Sequence, residues 1–243
     1  MKTLLKQALP PPLIVGSKVA LRYAQYLSNG SFFKLTNRAS GALVAHFTPQ
    51  IIEKQEIKHG AFFENKLSNI RLTASKLSGV VIRQGAIFSF WHLVGNPSER
   101  NGFQKSRIIR NGAVDFEIGG GVCQVSGMVY LAALKAGVQI IERHNHSVDI
   151  YQEHERISPL GADATVVYGA KDLQFLNNSS GAIQLTFTIV NDNELVLTLS
   201  STLPIIETIL HFERHEERHK RIVNTIGERQ GRYEELAVSV YKI

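Results

Sequence analysis

The stretch AIQLTFTIVNDNELVLTLSS, Ala182–Ser201, decides the fold class. Ile183, Leu185, Phe187 and Ile189 alternate with Gln184, Thr186 and Thr188, and Leu195, Leu197 and Leu199 recur at every second position after them. Side chains of a strand point alternately to its two faces, so each run predicts a strand with one buried face. Asn191-Asp192-Asn193 between them is turn chemistry, and two strands joined by a tight turn are antiparallel. Further segments predicted as strands are Val138–Tyr151 (VQIIERHNHSVDIY), Gly161–Gly169 (GADATVVYG), DLQFLNN and the closing ELAVSVYKI.

Helical spacing dominates upstream. In ENKLSNIRLTASKLSG, Glu64–Gly79, apolar residues Leu67, Ile70, Ala74 and Leu77 recur every three or four positions, and Gly79 ends the helix. Val80–Gly95 predicts extended segments around a turn at Gln84-Gly85, with Phe88, Phe90 and Trp91 in the core. A short strand is predicted at Ile108–Asn111, turning at Asn111-Gly112. From about Cys123 to Lys135 a helix is expected, with Val125, Val129 and Ala132 or Ala133 on one face and Gly137 as its left-handed stop. Helices early and antiparallel strands late predict an α+β fold rather than alternating α/β. We expect a single domain in which a Cys-bearing helix packs on a mainly antiparallel sheet. Residues 53–205 form its body, 1–52 a basic N-terminal arm with a short amphipathic helix, and 206–243 a charged helix and final strand.

The 243 residues are 44% hydrophobic and 20% charged, ample for a core and ordinary for a globular protein. One cysteine excludes an internal disulfide. No apolar run reaches the length of a membrane span and no signal peptide is evident, which predicts a cytoplasmic protein, membrane-peripheral at most. Lys2, Lys6, Lys18, Arg22, Lys34 and Arg38 all precede the first acid, Glu53, and account for the net charge of +6. Such an arm either is a solvated surface or leans on anionic lipid or polymer. Ser17–Ser28 reads as a helix that rests on the domain or on a membrane surface. No specific nucleic-acid motif is present.

The chemistry concentrates in GGGVCQVSGMVYLAAL, Gly119–Leu134. Three glycines precede the single cysteine at the expected start of a helix. Unpaired backbone N–H groups and the positive dipole end favour a thiolate there. The loop Gly119, Gly120, Gly121 and Gln124 can offer N–H groups to an oxyanion, or to a bound carboxylate or phosphate. In RHNHS, Arg143–Ser147, a continuous strand would put His144 and His146 on one face, either serving as general base to Cys123. Asp163 would orient that histidine. The same four residues, Cys123, His144, His146 and Asp163, also make a conceivable zinc site. A buried space-filling cysteine and hydrogen-bonded strand histidines are the structural alternative. In HFERHEERHKR, His211, His215 and His219 at four-residue spacing would share a helix face able to bind metal, but a solvated charged helix with Glu/Arg pairs is the reading preferred.

These residues resemble the VanW family, named for an accessory component of some vancomycin-resistance gene clusters. The resemblance runs through GAIFSFWHLVG, NPSERNGF, GGGVCQVSGMVYLAALKAG, IIERHNHS and DATVVYGAKDLQFLNN, roughly residues 60 to 200. Family members often carry CQVSS, whereas Ser126 is followed here by Gly127. The resemblance implies a setting in the bacterial envelope and glycopeptide resistance, with no established reaction, and a cell-wall peptide or its precursor as the partner. Many long relatives add a membrane anchor and wall-binding modules, which the short kind lacks. The order Cys, His, Asp is similar in layout to transglutaminase-like, papain-related enzymes, an analogy without a sequence match. Three functions follow: a thiol-dependent acyl transferase or amidase, a zinc site, or a non-catalytic binding or accessory protein.

Overall fold

A computed structural model describes residues 11–37, 46–110, 113–149 and 152–243. Lys2, Lys6, Arg38 and the Asn111-Gly112 turn lie outside them. The fold is mixed α+β, with four helices and several antiparallel sheets among the described residues. In chain order come α1 (Pro11–Ser28), β1 (Thr48–Glu56), α2 (Phe63–Leu77), β2 (Val80–Ile82), β3 (Ile87–Ser89) and α3 (Phe90–Val94). β4 (Lys105–Arg110), β5 (Ala113–Ile118), α4 (Val122–Lys135), β6 (Gln139–Glu142) and β7 (Gln174–Leu176) follow. The last five elements are β8 (Ile183–Val190), β9 (Glu194–Ser201), β10 (Ile209–Glu217), β11 (Lys220–Arg229) and β12 (Arg232–Lys242).

The Ala182–Ser201 stretch folds as the expected hairpin, with Phe187 opposite Leu197 and Leu185 opposite Leu199. It forms the centre of a four-stranded sheet ordered β1-β9-β8-β2. β1 pairs with β9 from Thr48 to Glu56, so the boundary expected at residue 52 falls within a strand. Smaller sheets are β3-β7-β6, β10-β11-β12 and the hairpin β4-β5.

Helix α4 is central. Eleven of its residues are buried, including Val125, Met128, Val129, Tyr130 and Ala132. A helix buried nearly all round must be apolar nearly all round. It contacts α2, β1, β6, β9 and β10, and Lys135 at its end pairs with Glu53 of β1 at 2.7 Å. In α2 the predicted stripe Leu67, Ile70, Ala74 and Leu77 is buried, and Gly79 takes φ +80° just beyond it.

Three expectations are corrected. Val80–Gly95 is not extended throughout. Phe90–Val94 turns into helix α3, because the Ser89 side chain caps it by accepting from the His92 N–H. Phe88, Phe90 and Trp91 are buried as expected. Gly161–Gly169 forms no strand: side chains satisfy its carbonyls, Arg143 donating to Gly161 O and Asp163 O, and Ser126 to Ala164 O. The charged tail is not a helix. His211 and His215 lie on β10 and His219 in the turn after it, and the acidic and basic residues pair across the hairpin, as Arg221 does with Glu216.

Candidate functional site

The glycine run is shaped by close approach. A Cβ on Gly120 would lie 2.6 Å from Arg107 O and 2.9 Å from Ser106 Cβ on β4. Gly119 and Gly121 take φ +90° and +99°, which other residues rarely adopt. Buried Asn69 of α2 fastens the turn. Its Nδ2 donates to Gly120 O at 3.0 Å and Gln104 O at 2.9 Å, and its Oδ1 accepts from Gln104 N–H at 2.7 Å. The turn delivers Cys123 as the second residue of α4, in the first turn, where the helix's N–H groups and positive dipole end lie.

Cys123 is half-buried against the core. Its Sγ lies 3.8 Å from Thr165 Oγ1 and 3.8 Å from Val166 O. Burial pushes the thiol pKa up, but hydrogen bonding and charge interaction with His146 outweigh burial, and the net direction is down. His146 Nδ1 is 2.6 Å from Asp163 Oδ2, which leaves Nε2 for the thiol. Burial alone would lower the imidazole pKa. The Asp163 hydrogen bond and the Cys123 interaction instead hold it up at about 10. An imidazolium beside a thiolate is the charge state this arrangement favours.

Asp163 is ionised and tightly held. Burial would raise its pKa, but the His146 hydrogen bond and the Arg143 charge bring it to about 2. Oδ2 also accepts from the His146 backbone N–H at 2.7 Å, and Oδ1 accepts from Arg143 Nη2 at 3.2 Å and from the Tyr241 hydroxyl. Arg143 in turn donates to Ser239 Oγ at 2.6 Å and lies over the Tyr130 ring of α4 at 4.7 Å. Arg143, Tyr241, Ser239 and Thr165 carry no signal of such a role in the sequence. Tyr241 and Ser239 come from β12, about 80 residues beyond Asp163, and no local spacing announces such a contact.

His144 is separate from this cluster. The strand that would have placed both histidines on one face ends at Glu142. Beyond it Asn145 Nδ2 donates to Val240 O at 2.8 Å, and Arg143 reaches the 161–163 segment. His144 Nε2 instead faces Glu142 Oε1 at 3.1 Å. Glu142 also accepts from Arg22 Nη1 at 2.5 Å and from the Asp172 N–H at 2.9 Å. Among the described residues no group of three or more His, Cys, Asp or Glu side chains is arranged to hold a metal ion. Of the expected oxyanion loop, the Gly119 N–H already donates to Gln104 O and the Gln124 N–H to Gly121 O. Gln124 Nε2 donates to Glu56 O at 2.8 Å.

Residues 65–200, which hold this cluster except for its β12 contacts, match the family described as VanW like protein. The chain belongs to the VanW family. Over 134 residues it is 32% identical to the vancomycin B-type resistance protein VanW of Enterococcus faecalis, covering 55% of this chain and 48% of that protein. Over 140 residues it is 30% identical to the uncharacterized protein YoaR of Bacillus subtilis, covering 58% of this chain and 45% of that protein. The chain thus spans about half the length of the curated relatives it matches. No solved structure matches it. The glycine run, Cys123, His146 and Asp163 all fall inside the matched VanW region, whereas Tyr241 and Ser239 fall outside it.

Proposed function

We propose that this VanW-family protein is a thiol-dependent acyl transferase or amidase acting on a cell-wall peptide or its precursor. The observation that carries the reading is the line Cys123, His146, Asp163, with the carboxylate on one ring nitrogen and the thiol left to the other. The substrate class rests on the relative named for vancomycin resistance. The Cys123 thiolate attacks an amide carbonyl carbon, and the new oxyanion lies at the α4 N-terminus, where the dipole favours negative charge. The His146 imidazolium gives its proton to the departing amine as the C–N bond breaks, leaving a thioester on Sγ. Neutral His146 then takes a proton from water, or from an acceptor amine, whose attack on the thioester returns the thiol. Asp163 stays ionised and keeps the ring oriented. The order Cys, His, Asp along the chain is all that remains of the analogy to transglutaminase-like, papain-related enzymes, because His146 and Asp163 lie on irregular segments rather than on strands.

Alkylation of Cys123 by iodoacetamide tests the reading. Reactivity should persist well below the ordinary thiol pKa of about 8.5. His146→Ala should move that profile up toward the ordinary value, Asp163→Asn should move it less, and His144→Ala should leave it in place. A zinc centre would instead show a protected thiol that a chelator exposes. A folded, metal-free protein whose Cys123 resists alkylation at every pH would end the enzyme reading.

A further inference from the structure

Helix α1 has two unlike sides. One is docked: Tyr26 is buried with Leu35 and Ile87, and Arg22 reaches Glu142 and Ala170 O. The other faces solvent and carries Leu13, Ala20, Leu21, Ala24 and Leu27 among uncharged Gly16, Ser17, Gln25 and Ser28, with Phe33 just past the helix end. Leu13 is 58% exposed, Leu21 70%, Leu27 53% and Phe33 83%. A solvated helix face is ordinarily the charged one. The two charged residues of α1 are Lys18 and Arg22, and Arg22 is on the docked side. Several large apolar side chains exposed together on a helix side so short of charge mark an interaction site.

We infer that this face of α1, with Phe33, docks the protein onto an anionic membrane surface. Charge selects the occupant. Lys18 is exposed on α1 and Lys34 is exposed in the Ser31–Lys34 turn that carries Phe33; Lys2, Lys6 and Arg38 belong to the same stretch of sequence, and no acid occurs before Glu53. Apolar residues that enter the acyl boundary, flanked by lysines that meet anionic headgroups, are how a helix lies in a bilayer interface. Among the described residues no helix is long and apolar enough to cross a membrane. Glu142 touches both Arg22 of α1 and His144, so the docked helix adjoins the segment that carries His146.

Co-sedimentation of the full chain with vesicles tests this. Binding is expected to vesicles of equal parts phosphatidylglycerol and phosphatidylcholine, weakly to phosphatidylcholine alone, and less at high salt. Leu21→Glu/Leu27→Glu should cut binding by about tenfold or more, with an unchanged unfolding midpoint because both positions are exposed. If that variant fails to fold, Leu21→Ser/Phe33→Ser reads the same loss. Cys123→Ser should bind like the wild type, which separates docking from the thiol chemistry. The inference is overturned if the wild type ignores anionic vesicles, or if the folded charged variant binds them equally well. A dimer in sedimentation velocity that this variant dissolves, with no vesicle binding, would assign the face to a second copy and likewise overturn it.

Discussion

At the residue scale, Asp163 governs how the site responds to pH. Its folded pKa of about 2 lies below the ordinary value of 3.8, held there by His146 and Arg143 against burial. A depressed carboxylate stabilises the fold above its unfolded pKa, and that stability is lost as pH falls through the folded value. The wild type should therefore lose about 2 kcal/mol from this group between about pH 4 and pH 2. Asp163→Asn should be less stable at neutral pH and should lack this part of the acid loss; urea unfolding at stepped pH measures both. His146 carries the opposite sign. Its raised pKa of about 10 stabilises the fold fully below the unfolded imidazole value and gives that up as pH rises through about 10. A variant His146→Ala should flatten the alkaline limb. Cys123, His146 and Asp163 could be named from the sequence because a cysteine after a glycine run at a helix start, a histidine and a carboxylate are the residue types of a thiol relay, and the structure brings these three side chains together. That His146 rather than His144 pairs with Asp163 was not legible, since alternation decides only within a strand and β6 stops at Glu142.

At the element scale, α4 and its turn contain two glycines with opposite requirements. Gly120 has no room, because its Cβ would meet the Arg107 carbonyl at 2.6 Å, a backbone atom that cannot swing aside. Gly127 lies within the helix, and the nearest atom to a Cβ there is Ala164 N at 3.8 Å, an ordinary contact. Gly127→Ala should stabilise the protein by about 0.5–1 kcal/mol through helix propensity and reduced unfolded-state freedom. Gly120→Ala should destabilise it by at least about 1–3 kcal/mol as overpacking against backbone. Paired thermal melts separate the two, and a stabilised Gly120→Ala would show that β4 yields. The same space takes the Cβ of the second serine of the CQVSS pattern. Hydrophobic period made α2, α4 and the β8–β9 hairpin legible, since each buries one face or nearly all of itself. β10 carries no such signal. It is largely exposed, so its charges fit helical spacing as readily as strand pairing. Its turn adds none, because Arg218 takes φ +54° where glycine or asparagine would have announced a hairpin.

At the scale of the whole molecule, the C-terminal sheet contributes to the site from outside residues 65–200, the matched VanW region. Tyr241 of β12 donates to Asp163 Oδ1 and accepts from the Gly161 N–H at 3.1 Å, and Ser239 receives Arg143. Tyr241 is buried with Leu160 and Val223, so the sheet and the Asp163 segment share a small core of their own. No sequence window contains both partners, which is why composition and spacing assigned this tail a solvated role. Tyr241→Phe keeps the ring and its packing but leaves the Gly161 N–H without its acceptor and removes one donor from an ionised carboxylate. Hydrogen bonds to charged groups contribute about 1.5–3 kcal/mol, so the variant should lose stability of that order. Its alkylation at Cys123 should change together with its unfolding midpoint, because the thiol is coupled to Asp163 through His146. Tyr233→Phe, on the same strand and exposed, should change neither. If Tyr241→Phe unfolded and alkylated like the wild type, the C-terminal sheet would be an attachment to the VanW domain rather than part of its site.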